Sequence, residues 1–159
     1  MTSPSFKYIG IREDVEFGKD VVLVEPVNIY GCNISDSVFI GPFVEIQKDV
    51  RIGARTKIQS HTFICELVSI GADCFVGHGV MFVNDLFSNG GPARGDKTLW
   101  KSTIIGNHVS IGSNATILPV EICDYVVIGA GSVVTKSITS SGIYAGNPAV
   151  KIKDIEQNG

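Results

Sequence analysis

An apolar residue recurs at every sixth position through most of this 159-residue chain, and this period constrains the fold more than any other feature of the sequence. The count runs unbroken from Ile34 to Phe82, resumes at Ile105 and ends at Val134 after one five-residue step. The fifteen positions are Ile34, Ile40, Ile46, Ile52, Ile58, Ile64, Ile70, Val76, Phe82, Ile105, Ile111, Ile117, Ile122, Ile128 and Val134. A period of six fits neither a helix face nor a single alternating strand. It is typical of a stacked, solenoid-like protein.

The other slots of each six-residue unit carry their own preferences. The second residue is often glycine: Gly41, Gly53, Gly71, Gly77, Gly106, Gly112 and Gly129. The fifth is small or β-branched: Val38, Val44, Val50, Thr56, Thr62, Val68, Cys74, Val109, Ala115 and Ser132. Each unit therefore predicts a short strand and a tight corner where glycine or Asx tolerates positive φ. Three units make one triangular coil of roughly eighteen residues, and we predict an all-β, parallel β-helix. The alternative is a β-sandwich, whose turns are spaced less regularly.

Length, charge and cysteines narrow the class of protein. The chain is long enough for one domain, in which we place the β-helix at about 15–138 and a C-terminal tail at 139–159. A net charge of −3 argues against nucleic-acid binding. No apolar run approaches a membrane span, and the start lacks an apolar signal core, so we expect a cytoplasmic protein with no membrane partner. Cys32, Cys65, Cys74 and Cys123 form no CxxC motif and are interpreted as core or turn residues.

The period fails once, between Phe82 and Ile105, where 17 residues exceed the normal step. The pattern resumes in phase, so residues 83–104 are predicted to form a loop that protrudes from one corner of the stack. The loop carries Trp100, the single tryptophan of the chain. Long loops on rigid stacks usually carry function, although this loop could also simply pack on a neighbour.

The C-terminal segment also leaves the period. The turn Gly146-Asn147-Pro148 precedes a stretch of Val, Lys and Ile residues, which we expect to cap the last coil. A short amphipathic helix is the simplest form of such a cap. The first fourteen or so residues should play the same role at the other end.

These segments resemble a known family. The repeated hexads, the IGAGSVVTK segment at 128–136 and the AGNPA segment at 145–149 resemble the hexapeptide-repeat acyltransferases. The resemblance implies a left-handed β-helix, whereas the general crossover rule would predict a right-handed one. The VMFVNDLF stretch at 80–87, the long loop and the GNPA turn look like the N-acetyltransferases of nucleotide-linked (dTDP or UDP) 3-amino sugars.

The resemblance implies an acetyl-CoA-dependent N-acetyltransferase for surface polysaccharide synthesis, such as lipopolysaccharide. It also implies a homotrimer with active sites between adjacent prisms. Acetyl-CoA would lie along one groove, and the sugar nucleotide would enter from the other end. No metal is expected.

The start of the loop holds the first candidates for catalysis. Acyl transfer needs a neutral amine, donors for the oxyanion and aligned substrates. Related galactoside and xenobiotic acetyltransferases have a histidine after the loop asparagine, where this chain has Asp85. We predict that Asn84 hydrogen-bonds the amine or a sugar hydroxyl, and that Asp85 orients the amine or accepts its proton. Two alternatives stay open: the departing CoA thiolate takes the proton, or Asn84 and Asp85 are only a turn pair.

Histidines are the other candidates for a base. His108 is the nearest to the return of the loop and is the second choice after Asp85. His61 and His78 fall at similar corners of consecutive coils. His78 is a weaker candidate for the base than His108. Each could instead be a polar turn residue.

The resemblance also implies a coenzyme site. Ser113 and Ala130 would meet the pantetheine arm through their backbone, with Thr135 beside it. Lys136 would meet a CoA phosphate as a flexible cation, or be a solvated surface lysine. Asn147 and Pro148 would shape the adenine end.

The loop side chains are assigned from chemistry alone. Arg94, Lys97 and Lys101 could bind the pyrophosphate of the sugar nucleotide, and Trp100 could stack on its base or on a neighbour.

Three rival functions remain. A γ-class carbonic anhydrase shares the fold but needs three zinc-binding histidines, which are poorly spaced here. A non-catalytic scaffold would need no coenzyme segments. An O-acetyltransferase acting on a sugar or serine hydroxyl would need a stronger base than an amine requires, so the missing loop histidine argues against it.

Overall fold

The computed structural model describes residues 9–155, which wind into a left-handed parallel β-helix of about seven turns. The predicted fold class is confirmed. Three consecutive strands make one coil, and from β1 to β18 each strand pairs in parallel with the strands three places before and after it in the chain. The three faces of the triangular stack are therefore three sheets.

The strands are short, and most have two residues. Sheet 1 contains β1 (Glu16–Phe17), β4 (Asn33–Ile34), β7 (Arg51–Ile52), β10 (Val68–Ile70), β13 (Thr103–Ile105) and β16 (Glu121–Ile122). Sheet 2 contains β2 (Val22–Leu23), β5 (Phe39–Ile40), β8 (Lys57–Ile58), β11 (Phe75–Val76), β14 (Ser110–Ile111), β17 (Val126–Ile128), β19 (Gly142–Gly146) and β20 (Ala149–Lys153). Sheet 3 contains β3 (Asn28–Ile29), β6 (Glu45–Ile46), β9 (Phe63–Ile64), β12 (Met81–Phe82), β15 (Thr116–Ile117) and β18 (Val133–Val134). Coil 1 is β1–β3, coil 2 is β4–β6, and so on to coil 6, β16–β18.

Three edges join the sheets, and these names are kept below. Edge A joins sheet 1 to sheet 2 and comprises residues 18–21, 35–38, 53–56, 71–74, 106–109 and 123–125. Edge B joins sheet 2 to sheet 3 and comprises 24–27, 41–44, 59–62, 77–80, 112–115 and 129–132. Edge C leads from sheet 3 to the next coil and comprises 30–32, 47–50, 65–67, 83–102 and 118–120, and continues at 135–137.

The core is a column of side chains inside the triangle. All fifteen residues of the six-residue period are buried, as are the small residues of the fifth slot. Thr56 and Thr62 are buried without loss of hydrogen bonding, because their hydroxyls donate to the carbonyls of Gly71 (2.8 Å) and Gly77 (2.9 Å) in the next coil. Such satisfied polar groups avoid the cost of desolvation.

The corners differ from expectation in one respect. Positive φ belongs to the fourth slot, which holds Asx but also bulky residues: Asp20, Ser37, Phe43, Asp49, Arg55, His61, Leu67, Asp73, His108, Asn114 and Tyr125. Most of these amides donate to a corner carbonyl one coil below, as His108 does to Ala72 (2.9 Å). The expectation that second-slot glycines supply positive φ is wrong. They are needed for close stacking, since a Cβ at Gly77 would lie 2.7 Å from the Ser113 nitrogen.

The C-terminal cap is a β-hairpin, so the amphipathic helix is wrong. Strand β19 pairs in parallel with β17, and β20 returns antiparallel after the cis Asn147–Pro148 bond. A strand satisfies the free hydrogen-bonding groups of the last coil, which a helix would leave unpaired. At the other end Ile11 bridges to Ile29. Residues 1–8 of the proposed fourteen-residue N-terminal cap lie outside the described residues.

Between residues 9 and 155, no helix is long and apolar enough to span a bilayer.

Candidate functional site

The long loop leaves the stack at edge C, between β12 and β13. It contains one 3₁₀ helix, Lys97–Leu99, and its two limbs meet where the Lys101 amide donates to the Asn84 carbonyl at 2.9 Å. The stack then continues as if uninterrupted, with β13 on β10 and Ile105 opposite Ile70. The loop is therefore closed at its base and does not disturb the coils.

Asn84 ties the loop to the coil below. Its half-buried side chain donates from Nδ2 to the carbonyl of Glu66 at 3.2 Å. With its main chain and its side chain both bonded, Asn84 has a fixed orientation at the mouth of the loop.

Asp85 organises the outer part of the loop. Its Oδ1 accepts the Phe87 amide at 3.0 Å, and its Oδ2 accepts the Ala93 amide at 2.7 Å. Phe87 has a left-handed φ of 51°, and Ala93 is buried. Both carboxylate oxygens therefore act as a clasp across eight residues, and the Asx turn that the sequence suggested is present.

Glu66 is a residue of this site that was not predicted from sequence. Its carboxylate accepts from Lys97 Nζ at 2.6 Å, and its side chain is 13 % exposed against 56 % for Lys97. Lys97 Nζ also lies 5.2 Å from the centroid of the half-buried Trp100 ring. A signal was available, because Glu66 stands 18 residues, one coil, before Asn84 and so lies directly below it on edge C.

Acidic and amide side chains continue down the stack from Glu66. Gln47 accepts the Glu66 amide at 3.4 Å and donates to Glu45 at 2.9 Å. The pKa of Tyr30 is raised, first by burial and then by the carboxylates of Glu45 and Glu66, although a hydrogen bond with Gln47 opposes the shift. The surface below the loop is thus electronegative and suited to a cation or a protonated amine.

The remaining basic residues of the loop are exposed. Among residues 9–155, the side chains of Arg94, whose φ is 51°, and Lys101 make no hydrogen bond or ion pair. Lys97, in contrast, is held by Glu66.

The positions implied for the coenzyme fall on two edges. Ser113 and Ala130 stack on edge B, where the Gly131 amide donates to the Ser113 carbonyl at 2.8 Å. The hairpin turn with Asn147 and Pro148 continues this edge, since the Gly146 amide donates to Ser132 Oγ at 3.1 Å. Thr135 and Lys136 are exposed at edge C, after β18. The six positions implied for the coenzyme therefore do not lie together on a single chain.

Comparison with known proteins places the chain in a family. The family model of the bacterial transferase hexapeptide (six repeats) matches residues 31–66, and that of the hexapeptide repeat of succinyl-transferase matches residues 102–136. The chain belongs to the hexapeptide-repeat acyltransferases. The resemblance to this family that the sequence predicted is confirmed.

The relatives of this acyltransferase include longer proteins. The bifunctional protein GlmU of Streptococcus uberis is 36% identical over 125 residues, which are 78% of this chain and 25% of GlmU. This chain thus spans about a quarter of the length of that curated relative.

Two solved structures are similar in fold. A variant of AntD, an N-acyltransferase from Bacillus cereus in complex with dTDP and coenzyme A, has a TM-score of 0.56 at 26% identity, covering 89% of this chain and 84% of that one. A variant of perosamine N-acetyltransferase from Caulobacter crescentus, in complex with CoA and GDP-perosamine, has a TM-score of 0.62 at 21% identity, covering 91% of this chain and 56% of that one.

The histidines of the acyltransferase lie on edges A and B. His108 is on edge A, stacked on Tyr125 with ring centroids 4.8 Å apart and planes 7° apart, so a single chain does not bring it together with Asn84 and Asp85 on edge C. His61, on edge B, stacks on Phe43 at 4.8 Å. His78, also on edge B, has its Nδ1 2.8 Å from Ser60 Oγ.

Cysteine chemistry and metal binding find little support in the described residues. All four thiols are free, and burial raises the pKa of Cys65, beside Glu66, to about 12. Such a thiol is a poor nucleophile because the thiolate is the reactive form. Within residues 9–155 no group of three His, Cys, Asp or Glu side chains is placed to hold a metal ion.

Proposed function

We propose that this acyltransferase transfers an acetyl group from acetyl-CoA to the amino group of a dTDP- or UDP-linked amino sugar. The observation that carries the proposal is the set of groups at edge C: the carboxylates of Glu66 and Asp85 and the amide of Asn84, with no histidine among them. Carboxylates attract a sugar ammonium and an amide orients it. A hydroxyl acceptor would need a base of the kind that this cluster lacks.

The reaction requires little of the side chains beyond positioning the amine against the thioester. The ammonium first loses one proton to bulk water. The neutral amine then attacks the thioester carbonyl carbon, the C–N bond forms, the C–S bond breaks, and the second proton passes from the nitrogen to the departing CoA thiolate. Asn84 is fixed by its bond to the Glu66 carbonyl, so it can hold the amine in line with the thioester. Glu66 now pairs with Lys97, and an incoming ammonium would compete with that lysine.

A homotrimer would complete the site. A threefold axis parallel to the stack preserves the height of every coil, so edge B of one prism can face edge C of the next. Ser113, Ala130, Asn147 and Pro148 of one subunit and Thr135 and Lys136 of its neighbour would then line one coenzyme groove. Arg94 and Lys101 are available for the sugar nucleotide pyrophosphate, and Trp100 for its base. We place this reaction in the cytoplasm, in surface polysaccharide synthesis.

Two solved structures support this acceptor class. The AntD variant holds dTDP with coenzyme A, and the perosamine N-acetyltransferase variant holds GDP-perosamine with CoA. Stacks of this shape thus bind CoA together with a nucleotide in one structure and with a sugar nucleotide in the other.

The direct test is incubation with acetyl-CoA and a panel of dTDP- and UDP-linked amino sugars, with free thiol release as the measurement. We expect turnover on at least one 3- or 4-amino sugar and none on the matched hydroxyl sugars. Turnover on hydroxyl sugars alone would show O-acetyl transfer and contradict the proposal.

Asn84→Ala should lower kcat about 100-fold, because misplacement of the amine is costly. Asn33→Ala is the matched control, since Asn33 is an exposed asparagine of coil 2 that donates to Glu16 at 2.6 Å, away from the loop. Equal kcat values for the two variants would remove Asn84 from the site.

A further inference from the structure

The ion pair between Lys97 and Glu66 attaches the outer part of the long loop to the stack. We define the outer loop as residues 85–100. Within residues 9–155, no other hydrogen bond or ion pair joins the outer loop to a coil, since the clasp of Asp85 and the 3₁₀ helix make their bonds inside the loop. A single polar contact therefore connects the outer loop to the coil below it.

The two partners of this ion pair differ strongly in burial. The Glu66 side chain is only 13 % exposed, whereas the Lys97 side chain is 56 % exposed. A carboxylate that is largely removed from water needs a cation beside it. An exposed lysine regains its hydration when it leaves, and it loses little by leaving. Replacement of Lys97 by another cation is therefore much easier than removal of Lys97 alone.

The Glu66 carboxylate keeps one oxygen free for a second cation. Its Oε2 accepts from Lys97 Nζ at 2.6 Å, while among the described residues no group donates to Oε1. The main chain of Glu66 is fixed, because its carbonyl accepts from Asn84 and its amide donates to Gln47. An incoming ammonium can therefore bond to Oε1 before Lys97 leaves Oε2, so the carboxylate is paired throughout the exchange.

Lys97 also shows which chemical group this carboxylate takes. The lysine side chain ends in a primary ammonium, with one positive charge and three hydrogen-bond donors. The ammonium of an amino sugar has the same charge and the same three donors. A sugar hydroxyl has one donor and no charge, so it cannot replace the lysine beside a desolvated carboxylate.

We propose that Lys97 is a displaceable internal ligand of Glu66, and that the ammonium of the acceptor takes its place and releases the outer loop from the stack. This inference rests on the proposed function. No covalent bond changes in the exchange, since one ammonium–carboxylate pair replaces another. Lys97 then returns to solvent near Trp100, whose ring centroid lies 5.2 Å from Nζ. A hydroxyl acceptor leaves Lys97 on Glu66, so only an amine releases the outer loop.

Hydrogen exchange in the ligand-free protein tests the attachment of the outer loop. In Lys97→Met the amides of residues 86–100 should exchange about threefold to fivefold faster, since a partly exposed ion pair is worth up to about fivefold in an equilibrium constant. Lys48→Met is the matched control, because Lys48 is an exposed lysine of edge C that forms no ion pair with another described residue. Unchanged exchange in Lys97→Met would overturn the proposal.

Binding affinity tests the exchange through the sign of its change. For an amino sugar nucleotide that the panel identifies, Lys97→Met should lower the Kd about threefold in titration calorimetry without acetyl-CoA, because the competing lysine is gone. The Kd of the matched hydroxyl sugar should stay within twofold. In a Glu66→Gln background, Lys97→Met should change neither Kd, since no carboxylate remains for the two ammonium groups to share. Weaker binding of both sugars in Lys97→Met would make Lys97 a ligand of the pyrophosphate and overturn the proposal.

Failure of this inference is distinguishable from failure of the proposed function. If the wild type neither binds nor acetylates any amino sugar of the panel, the proposed function is wrong and the exchange is wrong with it. If the wild type acetylates an amino sugar and Lys97→Met leaves the Kd of that sugar unchanged, only this inference is wrong.

Discussion

Edge C differs from edges A and B in how closely its coils approach. At edges A and B glycine fills many second slots, and a Cβ at Gly71, for example, would lie 2.5 Å from the Gly106 carbonyl oxygen of the next coil. At edge C no second slot is glycine, and the residues there are Tyr30, Gln47, Cys65, Val83, Leu118 and Thr135. The long loop leaves from this edge. The coils therefore leave room for side chains and for an inserted loop at the edge whose second slots hold no glycine.

The polar contacts of the edges differ in the same way. On edge A, fourth-slot residues pair with the coil above, as Arg55 does with Asp73 and His108 with Tyr125. On edge C, the pair Lys97–Glu66 links the loop to the coil instead. These side chains of edge A thus pair with one another, whereas edge C holds polar groups that a substrate could engage.

The largest expected effect tests the close approach. Gly71→Ala should lower the free energy of unfolding by about 1–3 kcal/mol, because the added methyl group overpacks against the next coil. The matched change at edge C, Thr135→Ala, should cost less than about 0.5 kcal/mol, since Thr135 is exposed. Urea unfolding at constant slope measures both. Equal losses would show that glycine placement does not distinguish the edges.

A smaller, local effect tests the loop clasp. Asp85→Asn removes the charge and one of two acceptor oxygens, so the amides of Phe87 and Ala93 should exchange with solvent about 10-fold faster while the melting temperature stays unchanged. Asp36→Asn is the edge A control, because Asp36 accepts one amide, that of Lys19, at 2.8 Å. Faster exchange throughout the coils would mean that Asp85 supports the whole stack.

The smallest effect concerns the exposed pair of edge A. The hydrogen bond from Arg55 holds the pKa of Asp73 below its ordinary value. A lowered native pKa contributes stability above the unfolded pKa of Asp, about 3.9, and that contribution is lost as pH falls through the native value. Arg55→Ala should therefore differ slightly from wild type at pH 7 and not at pH 2, in thermal melts at low salt. A difference that grows towards pH 2 would contradict this origin.

Much of the fold could be predicted from the sequence because each coil repeats one pattern. Residues such as Ile58 and Val134 belong to a six-residue period that is typical of stacked coils, and they are buried as expected. The role of the second-slot glycines was not readable, since close approach between coils and positive φ select the same residue type. The cap was misjudged because Val150, Lys151 and Ile152 fit a strand as well as a helix end.

The site was less readable than the fold. Asn84 and Asp85 were found from the break in the period, and their roles remain predictions. Glu66 sits inside an intact repeat, so nothing local marks it, and only its register one coil below Asn84 links it to the loop. The division of the coenzyme positions between two edges depends on the register of whole coils, which no single motif contains.

The left-handed corner residues have a consequence for growth of the stack. A residue such as Phe43 or His61 adopts a costly backbone conformation, and its amide is satisfied by the coil already beneath it, as Phe43 is by Pro26 at 2.6 Å. Each coil is thus a template for the next, and an uncapped end would be able to pair with further strands. The hairpin stops this propagation, because β20 runs antiparallel and offers the wrong strand direction for a further parallel coil. Its lysines, Lys151 and Lys153, also discourage end-to-end polymerisation of the prisms.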